Sequence, residues 1–288
     1  MKSNNWESPS EDLQNKISDY IIKSGFPLEL QVRDLLIKVS AKLLDSGMSY
    51  IEHHTTYIDP EEGVLREIDL TWFIGSLNKI EPYLMYNYFF ECKSSEKYSW
   101  VFFTEPSQEH QFPYLFTANM ANLEIIPDLS GNHERALGSP IFYEHTKKFA
   151  YSHMSFPDGS DMIRSAIIQA IKPCFVDSQN YLDDLLKDEF EFVECAVLYF
   201  PVVVYSGYMF EYLHDPETGV DTLAPINHVT VIFEHSFNKK TLKFLVDVVR
   251  FDHLNTYLTQ QIDDIRKIND YVEKNKPKKK KVAIRKTI

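Results

Sequence analysis

Cysteine is scarce in this chain. The 288 residues contain three cysteines, Cys92, Cys174 and Cys195, which form no C-x-x-C pair and have no zinc-type spacing with histidine. This usage favours a reduced, cytoplasmic setting over a disulfide framework. Cys92 is a candidate catalytic thiol, but its position in an aromatic run predicts a packed side chain.

Long hydrophobic runs are also missing. The longest apolar run, residues 196–205, contains Pro201 and is much shorter than the roughly 20 residues of a membrane-spanning helix. Residues 1–9 are polar and acidic, so we expect no signal peptide. We find no P-loop, G-x-S-x-G, kinase or H-E-x-x-H signature, which argues against the enzyme classes that depend on those motifs.

Positive charge is in short supply as well. The chain has 30 lysines and arginines against 42 acids, for a net charge of -12. Seven of the basic residues lie in residues 276–288, which contain no acid, so the remainder carries -19. DNA binding normally uses lysine and arginine to displace counterions. This balance weighs against autonomous DNA binding and favours a small basic patch or a protein partner.

The basic segment at residues 276–288 is predicted to be a disordered, solvated tail. Its lysine run resembles a nuclear-import signal, and it also fits a contact with nucleic acid or anionic lipid, or a solubilising role. The 288 residues suffice for one large domain or two small ones, and 44% apolar and 25% charged residues are ordinary for a globular chain. We predict a single domain over residues 1–275.

Alternating helix and strand patterns predict an α/β fold with a central mixed sheet. Predicted helices cover residues 12–23, 27–46, 161–171, 179–189 and 252–275. Predicted strands cover residues 50–57, 65–73, 88–93, 99–104, 227–233 and 242–251, with two more inside 192–213. Residues 105–160 contain five prolines and are predicted to be an irregular insertion or lid.

The strand at residues 88–93 ends in Glu91-Cys92-Lys93. Side chains alternate across a strand, so Glu91 and Lys93 are expected on one face, with a carboxylate beside an ammonium. Asp69 lies in the preceding predicted strand, and Glu29 lies in the first turn of the helix that begins near Pro27.

An acid on a first helix, an aspartate on a strand and E-x-K on the next strand occur here in order as Glu29, Asp69, Glu91 and Lys93. This order resembles the restriction-endonuclease-like, or PD-(D/E)xK, nuclease superfamily over residues 25–100. Two features depart from that pattern. Ile68 stands where the family often has proline, and the long separation of Asp69 from Glu91 requires an extended hairpin.

The resemblance implies a restriction-endonuclease-like fold and a metal-dependent endonuclease that hydrolyses DNA, in restriction or another defence process. It implies Mg²⁺ or Mn²⁺ as the cofactor, with Asp69 and Glu91 as metal ligands. Glu29, Asp69, Glu91 and Lys93 would be the catalytic residues. Lys93 would position the attacking water and offset developing charge, and Glu29 would act as a further acid or hold a second metal.

The residues leave several alternatives open. Glu91 and Lys93 also fit an ordinary ion pair, and Glu29 fits an acid that favours a helix N-terminus. The chain also fits a non-catalytic nuclease-like binding or assembly module, or a hydrolase of another kind. His53 and His54 would face opposite sides of a regular strand, which predicts structural or surface residues rather than metal ligands.

Overall fold

Apolar residues at helical or alternating spacing build the elements of this chain, as seen in a computed structural model. The structure describes residues 9–23, 25–43, 49–75, 83–106, 120–121, 148–157, 162–186, 195–237 and 239–274. These residues form a mixed α/β architecture with a large central sheet, which confirms the predicted class.

The described helices are α1 (Glu11–Lys23), α2 (Phe26–Ser40), α3 (Met162–Leu186) and α4 (Leu254–Lys274). Gly25 precedes α2 with a φ of 83°, a left-handed conformation that glycine adopts without steric cost. Pro27 follows in the first turn of α2, where a missing backbone N–H costs nothing. Together these residues start α2 at a defined point.

The strands of the described residues belong to one mixed sheet of 11 strands. They are β1 (Ser49–Ile58), β2 (Leu65–Gly75), β3 (Tyr83–Lys93), β4 (Ser99–Pro106), β5 (Met120–Ala121), β6 (Lys148–Phe156), β7 (Cys195–Tyr205), β8 (Tyr208–His214), β9 (Asp221–Pro225), β10 (His228–Phe237) and β11 (Lys240–Arg250). Their order across the sheet is β1-β2-β3-β7-β11-β10-β6-β4-β8-β9, and β5 pairs with β7 outside this path.

The first half of the sheet positions the candidate site. β1, β2 and β3 form an antiparallel meander, and β3 then pairs in parallel with β7. Parallel neighbours need a crossover connection, and α3 lies in the chain between β3 and β7. This connection also contains β4, β5 and β6, which precede α3 in the chain.

Helices cover both faces of this sheet. α2 and α4 pack on one face, through Leu28, Val32 and Leu36 from α2 and Leu258, Ile262 and Ile265 from α4. α3 packs on the other face through Ile163, Ile167 and Ile171. Strand β7 lies between the two cores, so Val202 and Val204 face one while Val203 and Tyr205 face the other.

Three sequence predictions about the fold are wrong. Residues 105–160 are not irregular throughout, because β6 pairs with β4 and β10 inside the sheet. The helices expected at residues 161–171 and 179–189 are one helix, α3, despite Pro173. β9 was not predicted, and it is an exposed strand that pairs with β8. For β6 and α3, pairing or packing with distant residues overrides the local pattern, whereas β9 forms a local hairpin with β8.

Other predictions lie outside the described residues. These are the basic tail at 276–288, most of the segment 105–160, and the turn of the β2–β3 hairpin beyond Gly75. The division into a domain at 1–275 and a tail therefore stays a prediction. Among the described helices, none combines the length and apolar content needed to cross a bilayer.

Candidate active site

The end of β3 carries a carboxylate and an ammonium in direct contact. Lys93 Nζ donates a hydrogen bond to Glu91 Oε1, and the two groups form an ion pair. The Glu91 side chain is only 8% exposed, whereas Lys93 is 30% exposed. The acid is therefore buried and its lysine partner reaches solvent. The two side chains lie on the same face of β3, as alternation along a strand predicts.

Asp69 lies beside Glu91 on the neighbouring strand. The β2–β3 ladder ends at the pair Leu70 and Phe90. Asp69 and Glu91 are the next residues beyond this last pair, one on each strand. Beyond that pair, the Asp69 side chain binds the backbone of β3: the Cys92 N–H donates to Asp69 Oδ2, with 2.7 Å between N and O. This hydrogen bond places the Asp69 carboxylate against the E-x-K segment.

Glu29 reaches the same region from α2. Its neighbours Leu28 and Val32 are buried against the sheet, so the first turn of α2 is held close to the strands. The Glu29 side chain is 13% exposed, and its charge interacts with Asp69 and Lys93. The structure thus brings together Glu29, Asp69, Glu91 and Lys93, which come from three separate elements.

The carboxyl groups of the site disfavour one another's charge. Burial and then repulsion from Asp69 raise the pKa of Glu91 to about 7, although Lys93 opposes the rise. Burial and then repulsion from Asp69 also raise the pKa of Glu29 to about 7, although attraction to His54 and Lys93 opposes the rise. The pKa of Asp69 is raised by burial, despite the Cys92 N–H and Lys93. Three acids near one lysine form a place where a cation would relieve repulsion.

His53 and His54 also lie at this site, which the sequence did not predict. His53 Nε2 is 3.6 Å from Glu29 Oε2, and the two imidazole centroids are 3.6 Å apart. One ligand atom from each of Glu29, His53 and His54 lies within 4.8 Å of the other two. The His54 Nδ1 also contacts the Glu67 carboxylate.

The backbone of β1 explains why both histidines approach Glu29. His54 has a φ of 56°, so β1 is not a regular strand there. The β1–β2 ladder pairs His53 with Leu70 and Thr55 with Ile68, but it omits His54. The expectation that the two rings face opposite sides holds only for a regular strand. No pattern in the sequence marks this distortion, although histidine is one of the residues that adopt positive φ more readily.

A cleft of about 690 Å³ opens beside these groups. Its polar lining comes from Glu29, His54, Glu67 and Asp69. Its apolar lining comes from Tyr20, Ile21, Phe26 and Leu30, on α1 and α2. Glu91 and Lys93 are not among its lining residues, whereas their neighbour Asp69 is.

The ring of Phe26 adds an apolar wall directly on the histidine pair. It stacks on His54 with 5.5 Å between ring centroids and an angle of 9° between the planes.

Comparisons of the chain with protein-family models, with curated proteins and with solved structures give no match. Any function must therefore be argued from the site itself.

Proposed function

We propose that this protein is a Mg²⁺-dependent nuclease that hydrolyses phosphodiester bonds of DNA, and that it is a divergent relative of the PD-(D/E)xK superfamily. The observation that carries the proposal is the meeting of Glu29, Asp69, Glu91 and Lys93 at one end of the β2–β3 hairpin. A role in restriction or another defence process belongs to the same proposal.

The order of elements supports this family relationship. An acid on α2, an aspartate on β2 and E-x-K on its antiparallel neighbour β3 follow one another in the chain. The long hairpin that the separation of Asp69 and Glu91 requires is present, since β2 and β3 each have 11 residues. A mixed sheet with helices on both faces is the architecture that the resemblance implies.

The donor set fits a hard divalent cation. Asp69 and Glu91 would hold Mg²⁺, which prefers a few carboxylate oxygens together with water and substrate phosphate. Glu29 adds a third carboxyl group to this region, and its charge interacts with those of Asp69 and Lys93. When bound, Mg²⁺ would polarise the scissile phosphoryl oxygen and lower the pKa of a water.

The residues of the chain supply the remaining chemistry. Lys93 is exposed enough to meet a water and is held in place by Glu91. It would orient the attacking water by a hydrogen bond and stabilise the charge that develops on the phosphate. Asp69, fixed by the Cys92 N–H, would keep its metal-binding oxygen at a constant position near Lys93.

The acidic character of the chain favours a second candidate function, a nuclease-like module that binds or assembles without cleaving. The net charge is -12, whereas DNA-binding surfaces are normally basic. Such a module would keep the fold and use its acidic surface toward a protein partner. The enzyme is the better-supported proposal because three carboxyl groups crowd around Lys93 in the interior.

A cleavage assay separates the two functions. Wild-type protein is incubated with single- and double-stranded DNA and with RNA, at low salt, with Mg²⁺ or Mn²⁺. The test variant is Glu91→Gln, and the matched control is Glu234→Gln, because Glu234 is also paired with a lysine, Lys243, at 2.8 Å. We expect cleavage by wild type and Glu234→Gln, and loss of most cleavage in Glu91→Gln.

Two results would change the conclusion. Equal cleavage by wild type and Glu91→Gln would place the activity at another site or in a contaminant. Absence of cleavage together with absence of Mg²⁺ binding would favour the non-catalytic module.

A further inference from the structure

Glu29, His53 and His54 have the donor arrangement of a metal centre. Their ligand atoms lie within 4.8 Å of one another, and His53 Nε2 is 3.6 Å from Glu29 Oε2. Two ligands about 2.0–2.2 Å from a tetrahedral ion are separated by roughly 3.4 Å. The spacing in the protein is therefore close to that of two ligands of one ion.

Two atoms of this cluster are buried and have no hydrogen-bond partner among the described residues. They are Glu29 Oε2 and His53 Nε2, which face each other across the 3.6 Å gap. Buried polar atoms are nearly always satisfied, so a facing pair without partners requires an explanation. A cation between the two atoms would satisfy both.

His54 has the support that metal-binding histidines usually receive. Its Nδ1 contacts the Glu67 carboxylate, which leaves Nε2 available to an ion. Metal-ligating histidines commonly use the second ring nitrogen to donate to a carboxylate, which fixes the tautomer and the ring orientation. Glu67 would thus be a positioning residue for His54.

The backbone at His54 provides an independent sign of function. A φ of 56° in the middle of a strand is unfavourable for a residue with a Cβ atom. Conformations of this kind persist where the surrounding structure holds them and are concentrated at functional sites. Here the distortion turns His54 toward Glu29, on the side where His53 already lies.

We infer that Glu29, His53 and His54 bind a divalent transition-metal ion of the Zn²⁺ type, in preference to Mg²⁺. Imidazole nitrogen suits Zn²⁺ and its first-row neighbours, whereas Mg²⁺ favours oxygen ligands. Three protein ligands leave a fourth position for water or substrate. This site shares Glu29 with the proposed catalytic set but uses neither Asp69 nor Glu91 as a ligand, and the inference does not rest on nuclease activity.

Direct binding tests the site on the full chain. Zn²⁺ affinity is measured by calorimetry, and Co²⁺ is used as a visible probe that accepts the same ligands. The key variant is His53→Gln. Because the chain has ten histidines, the matched control is His214→Gln, a strand histidine with its own carboxylate partner, Asp221, at 2.7 Å.

We expect one tight Zn²⁺ site in wild type and in His214→Gln, and an affinity at least about 10-fold lower in His53→Gln. The Glu67→Gln variant should lower affinity by about 10–100-fold, the usual effect of losing a carboxylate that supports a histidine ligand. Asp69→Asn should retain the Co²⁺ spectrum, because Asp69 is not a ligand of this site. Excess Mg²⁺ should not remove the spectrum.

Equal Zn²⁺ affinity in wild type and His53→Gln would overturn the inference, as would displacement of Co²⁺ by an equal concentration of Mg²⁺. Circular dichroism shows whether each variant is folded. Should His53→Gln be unfolded, the exposed position Glu67 decides instead, since its side chain is 54% exposed and Glu67→Gln removes no core contact. The single variants Glu67→Gln and Glu29→Gln are then compared with wild type. Unchanged Zn²⁺ affinity in both folded variants would refute the site.

Discussion

The carboxylate of Asp69 accepts a hydrogen bond from the backbone N–H of Cys92, with 2.7 Å between Oδ2 and N. Cys92 is the central residue of E-x-K, so this bond ties Asp69 to the segment that carries Glu91 and Lys93. Hydrogen bonds to a charged acceptor are stronger than neutral ones and orient the group they hold. One oxygen of Asp69 is thereby fixed, and we expect the other to face a cation.

Removal of the Asp69 charge should abolish the stabilisation by Mg²⁺. Asp69→Asn keeps an acceptor for the Cys92 N–H but loses the negative ligand. An ion that binds only the folded state raises the melting temperature. We expect Mg²⁺ to raise the melting temperature of wild type and of the exposed control Asp263→Asn, but not of Asp69→Asn. An equal rise in all three proteins would locate the ion elsewhere.

The metal-free protein should lose stability as the pH rises toward neutrality. The pKa of Glu91 is about 7 in the folded chain and 4.5 in an unperturbed one, so the folded state binds more protons between these values. The free energy of unfolding therefore falls with rising pH in this window, by at most about 1.4 kcal/mol per pH unit for this group.

Urea unfolding in a chelator, at several pH values from 4.5 to 7.5, measures this slope. Glu91→Gln has no proton to release and should flatten the curve relative to wild type, whereas Glu234→Gln should not. Parallel curves for wild type and Glu91→Gln would mean that Glu91 is ionised throughout the window.

Lys93 should affect catalysis more than metal binding. Lys93→Ala leaves both proposed Mg²⁺ ligands in place, so the rise in melting temperature with Mg²⁺ should persist. DNA hydrolysis should fall by roughly 10²-fold or more, the usual effect of losing one preorganised electrostatic group. Lys93→Arg should rescue only in part, because a planar guanidinium does not reproduce a compact ammonium.

The control for Lys93→Ala is Lys243→Ala, which breaks a lysine–glutamate pair on other strands of the sheet. Cleavage that survives unchanged in Lys93→Ala would remove Lys93 from the mechanism. Loss of the Mg²⁺ effect in Lys93→Ala would instead assign Lys93 a structural role in shaping the metal site.

Because His54 has a positive φ, the stability of variants at this position should depend on how readily the new residue adopts a left-handed conformation. His54→Gly accepts a φ of 56°, so the metal-free variant should differ from wild type by no more than about 1 kcal/mol. His54→Val places a β-branched residue in a left-handed conformation and should cost about 1–2 kcal/mol more than glycine. Urea unfolding in a chelator measures both variants. Greater stability of valine than of glycine would show that the left-handed turn is not maintained.

Deletion of residues 276–288 should leave folding unchanged. The apolar residues of α4 that pack in the core, such as Leu258, Ile262 and Ile265, precede the tail. The melting temperature of the truncated chain should therefore equal that of the full chain. If the seven basic residues contact DNA, their loss should weaken binding and reduce its salt dependence. Identical affinity and salt dependence would leave a solubilising role.

Local patterns in the sequence were sufficient for part of this site. Alternation along β3 predicted that Glu91 and Lys93 share a face, and the two side chains are in contact. The apolar stripe of α2 predicted a helix packed on the sheet, with Glu29 in its first turn. These features depend on residues two to four positions apart, where the geometry of a strand or helix leaves little freedom.

Only the tertiary structure determined the contacts between elements. The pairing of Leu70 with Phe90 sets Asp69 beside Glu91, and a shift of one residue would have turned one of them away. The left-handed turn at His54 arises in the β1–β2 ladder, where local sequence carries no signal for it. The continuous helix through Pro173 is held by burial against the sheet. The acids were visible in the sequence, whereas the histidines of the site became visible only when register and backbone distortion placed them against Glu29.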